Sequence, residues 1–166
     1  MKQELIESLL ELLESEYKIY EEILSLAKRK TDIVVQGKVS ELDHIVKLEQ
    51  ALVLQISKID KKRDELFQNS NSGDKINNKN WNVTELKKIA SEEQSGKLQN
   101  YQDSMVNILS ELNNVNQLNS KLITNSLEFI EFSLNLISTA DITSNNYGNK
   151  GDTLNKEKKN LFDIRL

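Results

Sequence analysis

The 166-residue sequence has no cysteine, which removes disulfides, thiolate zinc sites and cysteine nucleophiles together and fits a reducing compartment. It has no proline and only five glycines, so nothing obstructs long helices and little favours a sheet of many tight turns. Its one histidine, His44, excludes a two-histidine metal face and a pair of imidazoles acting as acid and base. No GxxxxGKS/T or GxGxxG loop exists to cradle a phosphate, no HExxH or ExxH repeat organises the 26 acids for a metal, and the serines lack a recognisable base partner. Neither an enzyme nor a metal or cofactor site is expected. No window approaches the roughly eighteen uncharged apolar residues of a spanning helix, so no stable membrane insertion is expected. The opening MKQELIESLLELLESEY carries acids through its apolar repeat, unlike a signal or transit peptide, and points to the cytoplasm. A net charge of −4 weakly repels nucleic acid and anionic lipid. The one dense basic cluster, KIDKKRDEL, is broken by its own acids and reads as a solvated helix face; nucleic acid is not an expected partner.

What is present is helical periodicity, in a chain of a length that suits one medium domain. Leu10, Leu13, Tyr17, Tyr20, Leu24 and Ala27 recur at steps of three and four, predicting a first helix over 2–35. A second stripe, Leu5, Leu9, Leu12, Ile19, Ile23 and Leu26, widens the apolar face enough for more than one neighbour. Gly37 suits a left-handed residue after that helix, and Ser40 with Asp43 resembles an N-terminal cap, so a tight turn and an antiparallel second helix are expected. The second seam runs Leu42, Ile45, Glu49, Leu52, Ile56, Ile59, Arg63, Leu66, and its two charged positions mark places where the seam opens to water or the charges snorkel outward.

The stretch NSNSGDKINNKN is too poor in apolar area to offset its ordering entropy and reads as a loop, ending at Trp81, a candidate lid over the bundle end. NVTELKKIA restarts the helical pattern with Asn82 and Glu85 at capping-box spacing, and SEEQSG is expected to bend or interrupt the path into a last helix over about 97–139. The fold class is therefore all-α, an elongated antiparallel helical bundle or coiled coil of three long helices plus a short one. A helical domain of residues 1–140 holds a hairpin (2–69), a loop (70–81) and the short and long helices (82–140), and a flexible tail covers 141–166.

The last helix carries the functional signal. LITNSLEFIEFSLNLIS opens at Leu122, and nine of its first sixteen residues are Leu, Ile or Phe. At about 100° per residue they span roughly 220°, about twice an ordinary surface stripe. One line is Leu122, Ser126, Phe129, Ser133 and Leu136; the other is Ile123, Leu127, Ile130, Leu134 and Ile137, and Glu128, Glu131 and Asn135 fill the remaining sector. A central bundle helix touching two neighbours, or a homodimer, explains such an arc without any client. A surface that binds a foreign helix explains it as well.

The segments LLELLESEYKIYEEILSLAKRKTDIVVQGKVSELDHIVKLEQALVLQISKIDKKRDEL, NVTELKKIA and NVNQLNSKLITNSLEFIEFSLNLIS followed by YGNKG resemble, in order, the FlgN-like flagellar export chaperones. The resemblance implies a non-enzymatic cytoplasmic chaperone of flagellum biogenesis. Such a protein binds the C-terminal segments of hook-associated proteins at the hook-filament junction, prevents premature assembly, and delivers them to the flagellar type III export gate. It places partner binding on the last long helix, here Leu122, Ile123, Leu127, Phe129, Ile130, Leu134 and Ile137. A gate-contacting role falls on Tyr147 or on the closing FDIRL. The alternative is a structural coiled-coil scaffold that uses the same face to bind a second copy of itself; a membrane-surface helix is disfavoured by Glu128 and Glu131 where lysines would be needed.

Overall fold

The computed structural model describes residues 2–70 and 83–144. Among these lie helices α1 (Lys2–Val35), α2 (Val39–Ser70), α3 (Val83–Ile89) and α4 (Glu92–Ser144), and no strand. The all-α expectation holds. Trp81, Asn82, most of the expected loop and the tail beyond Ser144 lie outside the described residues. The chain divides into two compact units, Met1–Asn125 and Ser126–Leu166.

The first unit is organised by the α1–α2 hairpin. Gly37 takes φ +68°, which glycine adopts at little cost. The Gly37 N–H donates to Val34 O at 3.1 Å and the Lys38 N–H to Ile33 O at 3.1 Å, the paired bonds that satisfy the last carbonyls of a helix. The turn leaves no room for Ser40 to cap the next helix. Lys38 does so instead, its carbonyl accepting from the N–H groups of Glu41 and Leu42, both at 3.1 Å, and Ser40 falls within the first turn of α2.

The two charged positions on the α2 seam pair across to α1 and stay partly open to water, Glu49 17% and Arg63 32% exposed at the side chain. Glu49 accepts Lys30 Nζ on both oxygens at 2.7 Å, and Arg63 Nη1 donates to Glu16 Oε2 at 2.8 Å. Stepping back from Lys30 to Glu16 on α1 matches the step forward from Glu49 to Arg63 on α2, as an antiparallel register requires. Between these clasps Ile23, Leu24 and Ala27 of α1 and Leu52 and Ile59 of α2 are buried, and Ile45 is buried just beyond Glu49.

The part of α4 in this unit runs parallel to α1. Gln94 reaches Gln3 O at 3.4 Å, Lys28 pairs with Glu111, and Asn119 reaches Ala27 and Thr31, so both helices advance together. Asn119 is only 2% exposed. Its Nδ2 donates to Ala27 O at 2.8 Å and its Oδ1 accepts from Thr31 Oγ1 at 2.6 Å, which satisfies a polar side chain inside the bundle. At the other end Ile6, Leu9, Leu10, Leu86 and Leu98 form one buried cluster, joining the start of α1 to α3 and the start of α4.

The path into α4 is interrupted at Ala90 and Ser91, and the rest of SEEQSG begins α4. Ser91 Oγ accepts from the Gln94 N–H at 3.2 Å while Gln94 Oε1 accepts from the Ser91 N–H at 3.1 Å, a reciprocal cap that starts the helix ahead of the expected residue 97. The helix also continues past 140, to Ser144.

Candidate functional site

The described part of the second unit is the last stretch of α4, and its apolar residues are largely open to solvent. Leu127 is 61% exposed, Phe129 70%, Ile130 52%, Phe132 60%, Leu134 45%, Leu136 54% and Ile137 62%. Ser133 Oγ donates to Phe129 O at 2.8 Å and Thr139 Oγ1 donates to Asn135 O, so both hydroxyls are satisfied by the helix that carries them. A contiguous set of large apolar side chains facing water costs solvation free energy, and on a folded protein such a patch commonly marks an interaction surface.

The seven residues expected to bind a partner do not share one environment. Leu122 and Ile123 are half-buried and belong to the first unit, whereas Leu127, Phe129, Ile130, Leu134 and Ile137 are exposed and belong to the second. Tyr147 lies outside the described residues. Phe132 was not singled out by the two apolar lines, although its place three residues after Phe129 and four before Leu136 is the spacing of a shared face.

Ile123 faces a groove of the first unit, about 650 Å³, with Tyr20 and Ile23 on its floor and Val53 and Ile56 on the α2 side. Its α4 wall is largely polar, formed by Asn116, Ser120 and Thr124 beside Leu112, and the Lys30–Glu49 pair closes one edge. A second groove of about 470 Å³ continues beyond Tyr20 towards Phe67, Tyr101 and Met105. The first has a mixed lining; the second is mostly apolar, with Glu16, Arg63 and Gln102 as its polar members.

Glu16, which bears on the second groove, is 7% exposed. Burial raises its pKa, while Arg63 opposes the shift and Asp60 adds to it. Arg63 also donates to Asp60, so its charge is shared between two carboxylates. This arrangement has the geometry of a structural ion pair. Among the described residues, no group of three or more His, Cys, Asp or Glu is placed to hold a metal ion, and no helix is long and apolar enough to cross a membrane.

Comparison with known proteins adds one finding. The family model described as FlgN protein matches residues 1–155. No curated protein and no solved structure matches the chain.

Proposed function

The chain belongs to the FlgN family, a family of flagellar export chaperones, and from that premise we propose that the exposed face of α4 captures the C-terminal segments of hook-associated proteins. The captured segment is kept from assembling prematurely and is handed to the flagellar export gate. The observation that carries the reading is the exposure of Leu127, Phe129, Ile130, Leu134 and Ile137, each between 45% and 70%. Leu122 and Ile123, half-buried in the first unit, are carried forward as separate candidates.

The energetics suit a transient grip. Full burial of a large apolar side chain is worth about 1.5–3 kcal/mol, and these residues, already half shielded by their own helix, supply the lower part of that range. Loss of translational and rotational freedom and ordering of the client offset several of those gains. The small surplus that remains is what lets a captured subunit be released again.

The test is calorimetry with a hook-associated protein's C-terminal segment. Replacing Ile130 and Leu134 by Asp is expected to abolish binding while helicity stays unchanged; unchanged binding would place the client elsewhere. For the gate contact we carry Tyr147 forward as the candidate, and Tyr147→Ala should weaken co-purification with the gate without affecting client binding. The scaffold alternative predicts instead a tight dimer across a sedimentation concentration series and no response to any client segment.

A further inference from the structure

We propose that the face of α4 over 127–137 receives two helices side by side, supplied as a helical hairpin by one partner whose borders are basic. This rests on reading that face as the client site. At about 100° per residue, Leu127, Ile130, Leu134 and Ile137 fall within about 80° of one another and form one ridge. Phe129, Phe132 and Leu136 fall within about 60° and form a second. Both ridges are exposed, from 45% at Leu134 to 70% at Phe129. A helix that meets one partner needs an apolar stripe of roughly 100°, and one that packs against two neighbours needs about twice that.

The residues between and beside the ridges indicate what lies on them. Ser126 and Ser133 occupy the sector between the two, where small side chains let two covering helices approach closely. Ser133 can be covered without stranding its hydroxyl, which already donates to Phe129 O at 2.8 Å. On the outer borders, Glu131 stands about 40° beyond Leu127 and Glu128 about 40° beyond Phe132, one carboxylate for each ridge. Neither forms an ion pair among the described residues. These are the border positions at which charges select partners in helix pairing.

The same charges argue against a second copy as the occupant. Between Glu111 and Ser144 the only cation is Lys121, so pairing this face with itself sets carboxylates against carboxylates. Lysine or arginine along the borders of a foreign hairpin turns that repulsion into attraction at both edges.

The experiment uses the full chain and synthetic amphipathic helices with a leucine seam, offered singly and as a linked hairpin, with lysine or glutamate borders. Calorimetry should give one hairpin per chain, bound at least tenfold more tightly than the single helix, and lysine borders should win over glutamate borders by at least tenfold. Ile130→Asp with Leu134→Asp, and separately Phe132→Asp with Leu136→Asp, should each weaken hairpin binding at least tenfold. Glu128→Lys with Glu131→Lys should invert the border preference while circular dichroism stays unchanged. A hairpin no tighter than one helix, a loss confined to one ridge, or a dimer of the chain alone that either ridge variant dissolves would overturn the inference. Repeating the ridge variants with a hook-associated protein's C-terminal segment separates the two readings. A loss only at Ile130 and Leu134 leaves the chaperone site standing and removes the second helix, whereas no loss in either variant removes the site itself.

Discussion

Arg63 of α2 donates to Glu16 of α1 at 2.8 Å, yet burial still holds the Glu16 carboxyl above the ordinary glutamate range. A carboxyl whose pKa is raised by folding binds its proton more tightly in the folded state. Its stabilising contribution is therefore complete below the unfolded pKa and is lost as pH rises through the folded one. Glu16→Gln mimics the protonated form. Measured by urea unfolding, the variant's stability relative to the parent should be most favourable near about pH 7 and should decline towards about pH 4, where the parent's own carboxyl is protonated. A difference independent of pH would show that Glu16 is not desolvated in solution.

Asn119 clasps α1 from inside the bundle through Ala27 and Thr31. Asn119→Ala removes both bonds, although Thr31 Oγ1 keeps a contact to Ala27 O at 3.3 Å, so its hydroxyl is not stranded. The expected cost is about 1–2 kcal/mol, seen as a lower urea midpoint at unchanged slope.

Gly37→Ala places a side chain where φ is +68°. A Cβ there meets nothing within 4 Å, so the cost is conformational, about 1–2 kcal/mol, and should appear as a lower unfolding midpoint with native circular dichroism retained.

Ser91→Ala removes half of the cap that starts α4. The expected loss is about 1 kcal/mol, and amide hydrogen exchange should quicken first at Gln94, whose N–H the serine accepts.

The paired Asp substitutions at Ile130 and Leu134 should shift unfolding by only about 1 kcal/mol in total, because both side chains are already 45–52% exposed. A larger loss would mean that these residues support the fold, and would remove them from any list of free contact surface.

Much of the fold was legible from local chemistry. The spacing from Leu10 to Ala27 and the glycine at 37 define α1 and its turn because both effects act within a few residues. The start of α4 was legible in principle too, since Ser91 and Gln94 stand at capping-box spacing, but their polar setting reads equally well as a break. Asn119 was not legible as a core residue: its partner is a backbone carbonyl 92 residues away, which no local spacing reveals. Glu16 and Arg63 each look like solvated charges until the hairpin register brings them together. For the candidate site, periodicity marks both ridges of residues 127–137 as apolar, but cannot tell a covered ridge from an open one. That distinction depends on which other helices run alongside.

The order of elements also has a consequence for synthesis. The hairpin closes through near neighbours in the chain and its clasps need nothing beyond residue 63, so it can fold while the rest is still being translated. The greasy stretch after Asn125 leaves the ribosome only when α1 already offers Ala27 and Thr31 to the incoming Asn119. A nascent chain built in this order has its hairpin clasped before its stickiest segment emerges.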